Sequence, residues 1–233
     1  MTENTEAQVI SKAMKKRTVK EWIIRSVILI AGLVIAHLGV TLFLISNLGS
    51  DPFNVLVQGI TRKLTDLIDM PFITHGRVHM SICIIIMLML LFIDRSYVKV
   101  GTIICMLCGG PIIDFFTLIL GRPASHFTSV PSRIVMVALG CVILAFGMTI
   151  VIKSDAGTGP NDLVAVVISD KLKKKFSITR LVADAMFTLA GFIMGGTVGI
   201  GTLICVILVG PVAGIFLPVN EKMVEGIISK TGC

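Results

Sequence analysis

The chain has 233 residues, 55% of them hydrophobic and only 15% charged, with a net charge of +7 and a mean hydropathy of +0.95. A soluble domain of this length has no use for so much apolar surface, whereas unbroken apolar runs of about 20 residues match the thickness of a bilayer. The composition excludes an ordinary soluble domain and indicates an all-α integral membrane protein.

Residues 1–20 form a polar, basic tail with Lys12, Lys15, Lys16, Arg17 and Lys20. The apolar run after it is too long for a signal-peptide core, so the first span, over 22–45, is expected to stay as an anchor. Residues 46–51 break that helix with Ser, Asn, Gly, Ser and Asp. Pro52 suits the first position of a new helix capped by Asp51, because proline lacks the amide that would be unpaired there. From Phe53 the apolar residues fall at 53, 56, 57, 60, 64, 67 and 68. That spacing is one face of a short amphipathic helix. A loop at 71–76, a span over 78–93 and a charged turn at Asp94, Arg95 and Lys99 follow, then a span over 101–120 that Pro111 is expected to kink. A polar linker, 121–130, separates membrane repeat 1 (21–120) from membrane repeat 2 (131–218). The second half has a span over 134–152, a break at 153–159, a short helix from Pro160, and spans over 181–194 and 201–217, the last with Pro211. Residues 219–233 read as a polar cytosolic tail.

The halves repeat one another. Gly39, Thr41, Ser46, Gly49, Pro52 and Asn54 recur as Gly147, Thr149, Ser154, Gly157, Pro160 and Asp162, at a constant offset of 108. Gly101-Thr-Ile-Ile-Cys105 with Gly110-Pro111 recurs as Gly201-Thr-Leu-Ile-Cys205 with Gly210-Pro211. The fold expected is therefore two homologous repeats of about four helical segments each, three full spans plus one short amphipathic helix after a helix break. In duplicated transporters the binding site commonly lies where the copies meet.

Basic residues bear on orientation. If every segment crosses, the repeats are parallel. The cytoplasmic face then gathers the amino-terminal lysines, Arg62, Lys63, Arg77, Arg122, Arg133, the lysines of 171–175, Lys222 and Lys230, leaving only Arg95, Lys99 and Lys153 outside. If the short helices re-enter, the repeats are inverted, and Arg62, Lys63, Arg77, Arg122 and Arg133 lie outside. Parallel repeats are preferred on this count.

A helix that starts at membrane depth exposes unpaired amides, and such broken backbone survives only in protein or beside water. Asn47, Asp51 and Asn54 line the first break; Asp155, Asn161 and Asp162 line the second. Bare helix starts favour an anion, but the crowded carboxylates favour a cation, a proton or an amine. Ordinary capping accounts for the same residues equally well. His37 and Asp114 lie inside spans and join the substrate-binding candidates, since intramembrane ionisable groups are costly. Arg180 and Asp184 read as an interfacial ion pair, with Arg77 as the equivalent of Arg180. Gly109-Gly110, Gly195-Gly196 and Gly191-x-x-x-Gly195 suit close helix packing. Cys105-x-x-Cys108 lies in an apolar span, so its thiols read as small hydrophobes. No nucleophile–base pair, metal-ligand cluster or phosphate-cradling loop is present in the sequence, so neither an enzyme nor a cofactor is expected.

The repeated break, Thr179-Arg180 at the opening of a span, and Gly199-Ile-Gly201-Thr with Gly210-Pro211 resemble the YczE-like (YczE/YyaS/YitT) family of bacterial membrane proteins over most of 22–218. The resemblance implies a multi-pass plasma-membrane protein of a largely uncharacterised family and supplies no substrate. The function expected is a small-solute transporter or permease with its site at the repeat interface. The alternative is a non-transporting membrane interaction or regulatory subunit. Expected partners are a small solute or ion, membrane lipid and a second copy of the chain, with no nucleic acid; the amino terminus is expected in the cytoplasm.

Overall fold

Apolar runs punctuated by capping residues fold into helices throughout. The computed structural model describes residues 18–68, 72–124, 129–174 and 176–231, which hold eight α-helices, one 3-10 turn and no strand. They are α1 (Val19–Ser46), α2 (Pro52–Leu67), α3 (His75–Ile93), α4 (Val100–Ala124), α5 (Val130–Ser154), α6 (Pro160–Leu172), α7 (Phe176–Ile193) and α8 (Ile200–Lys230). By length and composition α1, α3, α4, α5 and α8 are able to cross a membrane. The chain is a multi-pass membrane protein whose helix order repeats as α1–α4 and α5–α8.

Side-chain caps fix several starts. Thr18, Asp51, Thr74 and Ser129 each accept the amide three residues on, satisfying a donor the helix itself leaves unpaired. The amphipathic reading of α2 holds: Phe53 and Val57 are buried with Ile60 and Leu64 packed beside them, while Arg62 and Lys63 are exposed. Two expected boundaries move. Helix α4 runs to Ala124, into the expected linker, and 125–128 lie outside the described residues, as does the tail at 1–17. Helix α8 continues through Pro211 and Pro218 to Lys230, absorbing most of the expected polar tail. That extension is held from inside, because Asn220 and Val224 are buried and Glu221 pairs with Lys153 at 2.9 Å.

The centre of the molecule is the crossing of α1 and α5. Gly32 lies against Gly147 and Ile150, and Gly39 lies against Gly140 and Leu144, so position numbers rise along one helix as they fall along the other. The two first helices are antiparallel and the repeats are inverted. At the offset of 108, Gly32 corresponds to Gly140 and Gly39 to Gly147, so the two glycine contacts are images of each other about a pseudo-two-fold axis. This overturns the preference for parallel repeats.

The short helices show why. Arg62 of α2 donates to the carbonyl of Gly195 and, at 3.4 Å, to Asn47 Oδ1, so α2 returns to the end where α1 stopped. Lys171 of α6 pairs with Asp94 at 3.0 Å, and Tyr97 donates to Asp170 at 2.9 Å. Helix α6 thus returns to the α3–α4 turn, where α5 stopped. Neither helix crosses, and the basic residues that end each one lie at opposite ends of the molecule.

Candidate functional site

Each break is built by the same local chemistry. Ser46 Oγ donates to Phe43 O at 2.7 Å and accepts from the Leu48 amide; Ser154 Oγ donates to Val151 O at 2.6 Å and accepts from the Ala156 amide. The next residues, Asn47 and Asp155, are left-handed at φ 53° and 52°, a conformation that asparagine and aspartate tolerate better than most. Gly49 and Gly157, at φ 115° and 151°, then turn the chain where a side chain would be strained and would collide with Thr202 or Thr102. The freed carbonyls of Leu48 and Ala156 accept the amides of Gly201 at 2.8 Å and Gly101 at 3.0 Å, capping α8 and α4. Each break therefore starts a helix of its own repeat and caps a helix of the other. The Thr102 and Thr202 hydroxyls beside these contacts are buried, with no hydrogen-bond partner among the described residues.

The helix starts carry different groups in the two repeats. At α2, Asp51 accepts from the Asn54 amide, from Asn54 Nδ2 at 2.8 Å and from Ser50 Oγ at 3.2 Å; Asn54 Oδ1 meets His75 Nε2 at 3.0 Å. At α6, Gly159 supplies no side-chain cap. Asn161 Nδ2 donates to Asp162 Oδ1 at 3.1 Å, and Arg180 bridges Asp162 at 2.7 Å and Asp184 at 3.1 Å. Asn54 and Asp162 are equivalent, which makes His75 the counterpart of Arg180. At an offset of 105, Thr74, His75 and His79 correspond to Thr179, Arg180 and Asp184. The expected equivalence of Arg77 and Arg180 is thereby corrected; Arg77 donates instead to the Phe72 carbonyl. Arg180 also does more than form an interfacial bridge with Asp184 on its own helix, because it pairs with Asp162 at the start of α6.

Aromatic contacts join the halves. His79 is buried, with its ring 5.7 Å from that of His37 and 5.3 Å from that of Phe53, and Phe53 meets Phe187 at 5.5 Å, all edge to face. Gly109 makes room for the two imidazoles: a Cβ there would lie 3.0 Å from His37 Nε2. His37 Nδ1 lies 2.8 Å from the Leu33 carbonyl and donates to it, so Nε2 is the nitrogen turned towards Gly109.

The structure thus gathers Asp51, Asn54, Asn161 and Asp162 at the two helix starts, with His37 reaching them through His79 and Phe53. Asn47 and Asp155 stand apart, at opposite ends. Asn47 is exposed beside Arg62 and Thr197, and Asp155 pairs with Lys99 at 3.2 Å. Asp114 accepts from Thr74 Oγ1 and, at 2.9 Å, from the Gly76 amide, binding α4 to the start of α3. It borders a cleft of about 360 Å³ lined also by Gly76, Arg77, Met80 and Pro111. Sequence reasoning missed His75, His79 and Phe53. The available signal was the i, i+4 pair His75/His79, repeated as Arg180/Asp184 behind a common threonine.

Around the helix starts the side chains supply three carboxylates, one guanidinium, two amides and imidazoles that accept as well as donate. Such a set suits a small polar or cationic ligand that exchanges partners with an existing ion pair. Among the described residues no group of three or more His, Cys, Asp or Glu is placed to hold a metal ion. Cys105 is buried, as a small hydrophobe is. Outside the membrane, hydrogen bonds from Ser96, helped by Lys171, hold the Asp94 carboxyl down at about 2.

A family described as a family of unknown function, DUF6198, matches residues 23–218. The uncharacterised protein YyaS of Bacillus subtilis (strain 168) is 26% identical over 191 residues, 82% of this chain and 91% of the relative. The uncharacterised membrane protein YczE of the same strain is 25% identical over 212 residues, 91% of this chain and 94% of the relative. An uncharacterised protein of Haemophilus influenzae (strain ATCC 51907 / DSM 11121 / KW20 / Rd) is 27% identical over 198 residues, 84% of each chain. No solved structure matches the chain.

Proposed function

We propose that this chain, which belongs to the family of unknown function DUF6198, is a small-solute transporter or permease whose site lies between the two helix breaks. One observation carries the reading: in the inverted repeats both broken helices start on one buried cluster, through Phe53 of α2 and Leu163 of α6, and each opens on charged or amide side chains (Asp51 and Asn54, Asp162 and Arg180). Discontinuous helices at a pseudo-two-fold axis are a recurrent way to bind a solute inside a membrane protein. The close glycine crossing of α1 and α5 serves as the fixed frame for such a site.

The net charge of the cluster favours a cation, a proton or an amine-bearing solute. The plasma membrane is the proposed location, with the amino terminus cytoplasmic. The molecular end holding Lys20, Lys99, Lys153 and Lys171 is the more basic and takes the cytoplasmic side. The test is a thermal-shift screen of purified protein against ions and metabolites, with each hit carried into flux assays in liposomes. A hit that is transported, and that Asp162→Asn abolishes, supports the reading. A broad screen without binding or flux contradicts it and leaves the interaction-subunit reading in its place.

A further inference from the structure

The two repeats differ at one seam, and the difference has a mechanical meaning. In repeat 1, α3 and α4 touch: Gly76 packs on Gly110 and Asp114 holds Thr74 and the Gly76 amide. In repeat 2 the equivalent face of α8 carries Gly210 and Gly214, and open space surrounds the place where either side chain would be. Leu181, the counterpart of Gly76, is exposed. The start of α7 is tied to α6 by the Arg180–Asp162 ion pair at 2.7 Å, where repeat 1 has the weaker His75–Asn54 bond, and its far end is pinned on α2 by Gly59 against Gly191.

We propose that the α3–α4 seam and the open faces of α7 and α8 at Leu181, Gly210 and Gly214 are two gates, at opposite ends of the site described above, that close in alternation. In the second conformation the start of α7 swings about its pinned end until Leu181 fills the groove at Gly210 and Gly214, and α3 leaves Gly110. Inverted repeats favour this exchange, because each half has the elements to adopt the other's arrangement. The Arg180–Asp162 pair couples gate to site: a cation that takes Asp162 releases Arg180, and with it α7. Asp114 is the matching latch of the closed gate. The inference gives the regulation of the proposed site and rests on that reading.

Spin labels test it without a substrate, in protein freed of native cysteines. One pair joins Ile178 of α7 to Ile215 of α8, and the other joins Ser81 of α3 to Leu118 of α4; all four are exposed. The expected α7–α8 distribution has a second population shorter by about 5 Å, on the order of one helix turn, and the α3–α4 distances lengthen as it grows. Asp162→Asn raises that population. Gly214→Leu removes it without lowering the unfolding temperature, since this conformation has room for the side chain. A single narrow α7–α8 distance in the wild type and in Asp162→Asn overturns the proposal. Exchange of distances without flux of any probe keeps the gates and overturns transport; flux with fixed distances does the reverse.

Discussion

Repeat 1 and repeat 2 share a frame and differ in what they hang on it. The frame is the part under symmetric constraint: Ser46 and Ser154, Gly49 and Gly157, and the amides of Gly201 and Gly101 perform identical backbone tasks at the same turns. The groups around the site are not matched. A neutral Asn54–His75 hydrogen bond in one half stands where the other has an Asp162–Arg180 ion pair. Capping thus explains the repeated residues at the breaks, and the unrepeated ones set the two halves apart. Asn47 and Asp155 fall at the two ends, where their side chains meet Arg62 and Lys99, whereas Asn54 and Asp162 fall at the helix starts.

The frame is where substitution should cost most. A Cβ on Gly39 would sit 2.6 Å from the Gly140 carbonyl oxygen, which cannot retreat without moving α5. Gly39→Leu is expected to destabilise the protein by about 3 kcal/mol or more, as overpacking does. Unfolding in detergent checks this, and a fall of under about 1 kcal/mol would break the claim that α1 and α5 form the rigid centre. The site should show a smaller and unequal effect. Arg180→Gln leaves Asp162 and Asp184 without their cation and is expected to cost about 2 kcal/mol, discounted because all three side chains are partly exposed. His75→Gln in the other half loses one neutral hydrogen bond and is expected to cost about 1 kcal/mol. Equal losses would erase the distinction between the repeats.

The smallest effect lies at the surface joint of the two halves. The Asp94 carboxyl is held down at about 2, against an ordinary aspartate near 4 when unfolded. A depressed folded value means that its stabilisation is fully present above about pH 4 and is lost as the pH falls through about 2. Asp94→Asn should flatten the stability profile in that acid window and leave the profile at neutral pH with the same shape. An unchanged acid limb would remove Asp94 from the joint.

Much of the frame is legible in the sequence. Long apolar runs fix spans by composition, and Asp51-Pro52 announces a capped helix start from local chemistry alone. What lay beyond reach was pairing. Gly32 and Gly39, seven residues apart, meet Gly147 and Gly140 only because the helices are antiparallel, and no local property of α1 states that. The preference for parallel repeats failed for a related reason. Lys63 and Lys171 occupy equivalent places, which suggests a common side only if both short helices cross, and their lengths of 16 and 13 residues leave that open. The site was read in half. Its acids announced themselves as charges in an apolar chain, whereas His79 and Phe53 gain their meaning from ring contacts made across helices.

The inverted arrangement is the central claim, and equivalent residues on the two short helices test it most directly. Lys63→Cys and Lys171→Cys, both at exposed positions, are placed singly in a cysteine-free chain and labelled in intact cells with a membrane-impermeant thiol reagent. Inverted repeats predict that position 63 reacts from outside and that position 171 reacts only after the membrane is opened. Reaction of both from the same side would contradict the account.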